Sequence, residues 1–349
     1  MSARGAGPGR GTRTYDVVNI GRAGLDLYSN DIGAPFTQIR SFSVYVGGSP
    51  ANVCVGTRRL GLRVALVTAV GADLPGDFVV SFLESEGVDT RWIARKPGFR
   101  TGAAMLALEP PDRFPLVYYR DRAADWELDL DDIAAAPIDD TRVLAIAGTN
   151  LARDPSRAAT TAAAETARAA GTEVVLDLDF RADQWQDARL FGVAVRALLP
   201  LVDVVLGTED ELKAVVLRDR GGVRVAESQV SEASVDGDVV HAVDTVTAMG
   251  PAVVVCKHGP RGATVHTRGA DGERSETHAA GFAVAVKNTL GAGDAFAAGF
   301  IYARLHQWDD HRAARFANAC GALVASRHGC SVAMPSRDEV EALVGADGQ

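Results

Sequence analysis

Several common signatures are missing from this sequence, and each absence removes a class of function. Its four cysteines, Cys54, Cys256, Cys320 and Cys330, show no paired spacing and have no histidine pair beside them. That excludes a zinc-ribbon pattern and a disulfide framework. Each cysteine lies in an apolar or helical context, where a reduced, buried thiol is expected. Charges such as Arg196 and Asp203 interrupt the longest apolar stretches, so no run is long enough to span a bilayer. Positive charge is short as well: the net charge is -9, which argues against nucleic acid or an anionic membrane as main partner. No Gly-Lys-Ser/Thr occurs, so there is no Walker loop, and Phe296 stands where a dinucleotide fingerprint would need its third glycine. The sequence contains no internal repeat.

The 349 residues suffice for one large α/β domain or two smaller ones. Residues 1–14 are rich in Gly, Arg, Ser and Thr without an apolar core, and read as a disordered tail, not a signal peptide. The chain is therefore expected to be soluble and cytoplasmic. From Tyr15 onward, β-branched runs at 17–20, 64–70, 143–147, 174–178, 204–206 and 253–255 alternate with helical patterns such as 78–86, 155–170 and 313–327. Uninterrupted apolar strands separated by helices predict a parallel, doubly wound α/β sheet. Two segments, 25–46 and 100–122, break the alternation with aromatic, alternating stretches and no helix between. They predict a small accessory β-sheet placed as a lid over the site. Residues 218–238 read as a surface excursion.

Within the predicted domain, 15–345, the most informative stretch is Asn288-Thr289-Leu290-Gly291-Ala292-Gly293-Asp294-Ala295-Phe296. It joins an apolar, strand-like run (Phe282, Val284, Val286) to a helical run ending near Arg304. Small residues at a helix start leave free amides open to a polyanion such as phosphate, and Asp294 beside them is placed to take a proton from an attacking alcohol. Taken alone, the same residues also describe a tight turn with a dipole-favoured acid.

Other pieces fall at predicted strand ends, where open α/β sheets bind ligands. Asp26 follows strand 17–20 and can accept hydrogen bonds from two neighbouring hydroxyls; a turn-forming acid is the competing reading. Gly47-Gly48-Ser49-Pro50-Ala51-Asn52 predicts a helix start with Ser49 as cap and Pro50 as first helical residue. Its glycines allow close backbone approach, and Asn52 faces the same way. Lys257-His258-Gly259-Pro260-Arg261-Gly262 suits either a loop bending around a nucleotide or a plain hairpin. Arg181, in Asp177-Leu178-Asp179-Phe180-Arg181, can fork onto a phosphate or carboxylate, or simply pair with Asp179 or Asp183. Thr208-Glu209-Asp210-Glu211 opens a helix; its acids are dipole partners or hold a water on Mg²⁺.

Together and in this order, these pieces resemble the ribokinase-like, or phosphofructokinase-B, family of sugar kinases, from about Tyr15 to about Val344. The resemblance implies a three-layer α/β/α fold with a small β-sheet lid and an ATP-dependent phosphoryl transfer. Asp294 matches the family's catalytic base, and Gly291, Ala292 and Gly293 match its anion hole. Asp26, Gly48 and Asn52 match sugar-binding positions; Lys257, Gly259, Gly262 and Asn318 match the surroundings of the nucleotide, to which Arg181 is also assigned. Glu211 matches the acid of the magnesium-water motif, whose usual Asn is Thr208 here. Asn288 stands where the family often has Asp at a monovalent-cation site, which makes K⁺ dependence an open question.

The text also resembles one subgroup, kinases of a deoxy keto sugar acid formed in myo-inositol breakdown. The matching pieces are Gly21-Arg22, Asp26-Leu27-Tyr28, residues 110–116, Leu176 to Arg181, Asn288, Ala317-Asn318-Ala319 and Ala333-Met334-Pro335. An acid substrate needs a cation. Tyr118-Tyr119-Arg120 resembles the acid-recognising segment of related keto-acid kinases, so Arg120 is the first candidate and Arg22 the second. The implied partners are a small sugar acid, ATP and Mg²⁺, and the exposed edges of the accessory sheet suggest a homodimer. The alternatives are a kinase of another sugar or sugar acid (2-keto-3-deoxygluconate, fructose, ribose), and a catalytically silent sugar- or nucleotide-binding regulator.

Overall fold

The computed structural model describes residues 13–109, 113–225, 233–269 and 271–346. Residues 1–12 of the expected tail, and Pro110-Pro111-Asp112 of the subgroup match, lie outside the described residues. Arg13 and Thr14, expected in the tail, are anchored: Arg13 donates to the Ala170 carbonyl at 2.7 Å and the Thr14 amide to Asp140 at 3.0 Å.

The apolar runs pair as the sequence suggests. Strands β1 (Tyr15–Ile20), β2 (Gly24–Ser29), β3 (Phe42–Gly47), β4 (Val64–Gly71), β5 (Ile93–Lys96), β6 (Ala103–Leu106) and β7 (Leu116–Tyr119) come first. They are followed by β8 (Thr141–Ala147), β9 (Glu173–Asp177), β10 (Val204–Thr208), β11 (Val223–Val225), β12 (Ala233–Val235), β13 (Val253–Lys257), β14 (Ala263–Arg268) and β15 (Arg274–Ala279). The large sheet has the order β15-β14-β13-β10-β9-β8-β1-β4-β5. It is parallel from β13 through β5, with β14 and β15 antiparallel at one edge.

Alternation along these strands divides the core between the two faces. Val17, Val143, Val175, Val204 and Val253 bury against helices Ser49–Arg59 and Ala292–Leu305. Val18, Leu144, Leu176, Val205 and Val254 bury with residues of helices Ser156–Ala169 and Arg189–Leu198. A sheet apolar on both faces must be covered twice, which yields the three layers. Chain direction across the sheet reverses between β1 and β8, and ligands of such sheets bind at the carboxyl ends beside that switch.

The two anomalous segments form a separate four-stranded sheet, β3-β2-β6-β7. Tyr28, Ala104, Leu106 and Leu116 bury its inner face together with Phe114 and Cys330. Residues 218–238 contribute only the ribbon β11-β12 and a short 3₁₀ turn at 220–222 among the described residues.

Two local expectations need correction. The run Phe282, Val284, Val286 is an irregular extended segment, not a strand. Its end is held by the carboxyl terminus of helix Asp310–Ala325: the Lys287 and Asn288 amides both donate to the Ala325 carbonyl, at 2.8 and 3.2 Å. The other helix begins one residue earlier than read: Ser49 is its first residue, Pro50 its second, and the cap position is Gly48 at φ 106°. A Cβ on Gly48 would overlap the Arg22 carbonyl oxygen, so close passage of two loops selects glycine over a side-chain cap.

Candidate active site

Asp294 lies in the first turn of helix Ala292–Leu305, behind Gly291 in the left-handed conformation at φ 82°. Only glycine adopts this backbone readily, and a side chain there would press on Cys330 at 3.1 Å. Helix-start amides are thereby presented at the carboxyl edge of the sheet. One of the three expected anion-hole amides is turned inward: that of Ala292 donates to the Thr289 carbonyl at 3.2 Å. The Asn52 amide nitrogen donates to Asp294 Oδ2 at 2.7 Å, and the Ser49 hydroxyl also hydrogen-bonds this carboxylate. Helix Ser49–Arg59 thus brings both groups to Asp294 across 242 residues of sequence. Burial raises the Asp294 pKa from its ordinary value and Asp179 adds to the effect, while Asn52, Ser49 and Arg181 offset part of it. A buried carboxylate of raised basicity, fixed by donors, suits acceptance of an alcohol proton.

Strand ends β9, β10 and β13 converge beneath it. Lys257 Nζ lies 3.0 Å from Asp177 Oδ1 and 3.9 Å from Glu211 Oε2, and 3.6 Å from the place a Gly293 side chain would occupy. The ammonium therefore reaches the start of the Asp294 helix. Burial alone would lower the Lys257 pKa, but Asp177 and Glu211 raise it, so it stays a cation. Asp177 is pushed up to about 7 by burial, against Lys257 and with help from Glu211, Asp179 and Asp294. Glu211 has a second task. Its Oε2 accepts the Thr208 amide at 2.7 Å while the Thr208 hydroxyl accepts the Glu211 amide at 3.2 Å, a reciprocal capping box. Thr208 is thus the N-cap of this helix.

Residues 257–263 form a hairpin, with β13 and β14 pairing antiparallel around it. Gly262, at φ 100°, sits where a Cβ would overlap the Ala279 carbonyl oxygen; Gly259, at φ 59°, opens to space. His258 is a tether: Nδ1 meets Glu209 at 2.7 Å and Nε2 meets the Thr264 hydroxyl at 2.9 Å. Asn318 ties helix Asp310–Ala325 to the end of β15 by donating to the Ala279 and Ala280 carbonyls at 2.9 and 3.1 Å.

On the other side of Asp294 stands Asp26, not beyond a strand but within β2 of the small sheet. A side chain on Gly47 would overlap its carboxylate. Burial pushes Asp26 up to about 6, with Arg22 opposing and Asp294 reinforcing. Arg22 is buried over the Tyr118 ring at 5.1 Å. Arg120 is buried too, ion-paired with Asp125, donating to Gln184 Oε1 at 2.6 Å and lying over Trp126 at 4.3 Å. Arg181 pairs through Nε with Asp179 at 2.8 Å, the competing sequence reading, although the pair is largely buried. Asn288 is fully buried, and its side-chain oxygen accepts the Leu290 amide at 3.0 Å.

Residues passed over in the sequence also belong here. Asp177 and Asp179 stand out in the sequence only as neighbours of Arg181. The available signal was an acid ending an otherwise apolar strand at the switch-point edge. Asp179 also holds a left-handed φ of 38°, a strain that clusters at functional sites. Tyr28 and Cys330, joined by a hydrogen bond beneath the Gly291 turn, carried no signal because their partnership spans 302 residues.

A glycine-rich helix start, a buried carboxylate in its first turn, a lysine nearby and polar groups from a second sheet are the arrangement a small-molecule kinase would need. A family model described as pfkB family carbohydrate kinase matches residues 15–337, and the chain belongs to that family. It is 35% identical over 334 residues to a protein named 5-dehydro-2-deoxygluconokinase from Shouchella clausii, covering 95% of this chain and 96% of that one. Its fold resembles a fructokinase with bound ATP from Xylella fastidiosa, with a TM-score of 0.80, 25% identity and coverage of 96% and 100%. It likewise resembles a fructokinase double mutant from Vibrio cholerae solved with fructose, ADP and potassium, with a TM-score of 0.78, 26% identity and coverage of 96% and 100%. Among the described residues no helix is long and apolar enough to cross a membrane, and no group of three or more His, Cys, Asp or Glu is arranged to hold a metal ion.

Proposed function

We propose that the protein transfers the γ-phosphoryl group of ATP to the primary hydroxyl of 5-dehydro-2-deoxy-D-gluconate. The observation that carries this reading is Asp294, buried at a helix start and held by Asn52 and Ser49. The full-length likeness to the kinase of that name narrows the acceptor. Asp26, Gly48 and Asn52 line the sugar side, and the substrate carboxylate falls to one of two buried arginines, Arg22 or Arg120. Gly291 and Gly293 offer their amides to the phosphate, with Ala292 between them holding the turn through the Thr289 carbonyl. Lys257, Gly259, Gly262, Asn318 and Arg181 surround the nucleotide.

In the reaction the acceptor O–H proton passes to Asp294 as the new O–P bond forms, and the bond between the γ-phosphorus and the bridging oxygen of ADP breaks. Such a loose transition state needs alignment and charge stabilisation more than covalent help. Lys257 and the amides of Gly291 and Gly293 supply fixed positive potential. The donor set suits Mg²⁺ carried on phosphates and water, with Glu211 holding one such water, because the carboxylates present are already shared with Lys257. Bound there, the ion neutralises phosphate charge. K⁺ at Asn288 is a further candidate, the side-chain oxygen, which accepts the Leu290 amide, being the atom a cation would meet.

Four free, buried cysteines fit a reducing cytoplasm. Exposed Val44, Val117 and Tyr119 on the two edge strands of the small sheet fit a homodimer formed through the lid; a monomer in light scattering would remove that proposal. Assay of ATP-dependent turnover over a panel of 5-dehydro-2-deoxygluconate, 2-keto-3-deoxygluconate, fructose and ribose tests the whole reading. Highest kcat/KM on the first is expected. Highest kcat/KM on a neutral sugar would overturn the substrate assignment while leaving the chemistry.

A further inference from the structure

Two arginines are buried on the sugar side, and their surroundings differ in one decisive way. Both terminal nitrogens of Arg120 are engaged, one by Asp125 and the other by Gln184. Its Nε is unpartnered, but a lone Nε cannot make the two-pronged contact that guanidinium offers a carboxylate. Trp126 covers its face at 4.3 Å, and Arg153 lies over the same ring at 3.8 Å. Arg120 thus has no terminal nitrogen left for a ligand, and it joins β7 to the segment around Asp125 and Gln184, although Asp125 Oδ1, Gln184 Nε2 and Trp126 Nε1 are themselves buried without partners.

Arg22 is unfinished. It is 8% exposed, and its Nη1, one of the two prongs, is buried with no hydrogen-bond partner. A charged donor left unpaired in a protein interior costs stability unless something meets it. The surrounding carboxylates do not. Asp125 is ion-paired with Arg120 and Asp179 with Arg181. Among the described residues none of Asp26, Asp125 and Asp179 forms an ion pair with Arg22, although all three act on it at longer range. Each neighbouring acid except Asp26 thus has its own arginine, and the Arg22 guanidinium is left without an ion-pair partner among the described residues.

The backbone explains how it is aimed. Arg22 lies in the short link between β1 and β2, after the carboxyl end of β1. Its carbonyl is wedged against Gly48, where no side chain fits. Its guanidinium lies over Tyr118 of β7, so it bridges the switch-point edge and the small sheet. Asp26, four residues on, and Asp294 act on each other electrostatically, which puts Arg22 beside the acceptor end of the site.

We propose that Arg22, through its unpartnered Nη1, is the residue that binds the carboxylate of an acidic sugar, and that Arg120 is a structural tie that does not meet substrate. This rests on the proposed function, and it reverses the order of the two arginines that the sequence suggested. Arg22 is then the specificity-determining residue of the site.

Titration calorimetry of the full chain with 5-dehydro-2-deoxygluconate, alongside ATP binding and thermal melts, tests it with Arg22→Met, Arg22→Lys and Arg120→Met. A charge-assisted hydrogen bond of ordinary strength predicts an acid Kd about 10- to 150-fold weaker in Arg22→Met. Arg22→Lys is expected to recover part of the loss, because it restores the charge without the fork. Arg120→Met is expected to lower Tm, while its acid Kd relative to that of fructose stays near the wild-type ratio. Unchanged acid binding in Arg22→Lys and Arg22→Met, or a selective loss of acid binding in Arg120→Met alone, would overturn the assignment. If Arg22→Met does not fold, an unchanged Kd in Arg22→Lys overturns it and a weakened one supports it. Failure of the wild-type protein to bind the acid would instead overturn the substrate reading beneath it.

Discussion

The two halves of the site are built on opposite plans. On the side proposed to hold phosphate the polar groups satisfy one another: Lys257 is shared by Asp177 and Glu211, Glu211 caps its own helix, and Glu209 holds both His258 and Arg261. On the sugar side they do not. Arg22 Nη1 and Asn52 Oδ1 are buried without partners, and Asp26 is a carboxylate whose charge burial opposes. Phosphate is common to every kinase, so on the proposed reading a self-satisfied cradle serves it. The acceptor differs between family members, and groups left open in the free protein become discriminating only when a substrate completes them. An analogue lacking the right oxygen would leave them unpaired, which is how a polar site rejects it.

Of the two halves, breaking the self-satisfied one should have the larger effect. Lys257→Met removes the cation facing the Gly293 turn and strands two carboxylates. A fall in kcat of about 10²–10³-fold is expected, of the size seen when one stabilising donor is lost, together with a lower Tm. Adding Asp177→Asn should restore much of the Tm but not kcat; joint recovery would show that Lys257 is only structural.

On the open half, Asp26→Asn should separate stability from function. The native state holds the Asp26 proton up to about pH 6, whereas an unfolded carboxyl releases it near its ordinary value of about 3.9. Its stabilising contribution is therefore fully present below the unfolded pKa and lost as pH rises through about 6. Asparagine at 26 should flatten the Tm profile between pH 4 and 7 and raise stability at neutral pH by at most about 3 kcal/mol, while weakening sugar binding. A Tm profile parallel to that of wild type would contradict this. The smallest effect expected is that of Glu209→Gln, which loosens the His258 and Arg261 tethers of the β13–β14 hairpin. A rise in the KM for ATP of about fivefold or less fits the loss of one such hydrogen bond, with the KM for sugar unmoved.

What could be read in advance follows the same division. The parallel strands were legible because both faces are buried and the apolar runs are continuous; the small sheet was legible because its segments alternate. Asp294, Asn52 and Lys257 were legible because each stands at a strand end or helix start, where chain geometry fixes the neighbourhood; Asp26 was legible only from its place a few residues after β1, since it lies within β2. The irregular path of Phe282 to Val286 was not, because the Ala325 carbonyl that captures it lies about forty residues on and leaves no local mark. Nor was the ranking of Arg22 and Arg120. Arginine content was visible, but which guanidinium is enclosed by Asp125 and Gln184 depends on contacts 5 and 64 residues away in the chain.

The central claim is that a buried carboxylate at the start of helix Ala292–Leu305 takes the acceptor's proton. Single-turnover transfer from ATP to 5-dehydro-2-deoxygluconate in Asp294→Asn, with ATP binding measured on the same sample, tests it most directly. The prediction is a rate reduced about 10²–10⁴-fold, the span of a lost general base, with the Kd for ATP within threefold of wild type. Transfer at the wild-type rate in that variant would contradict the account.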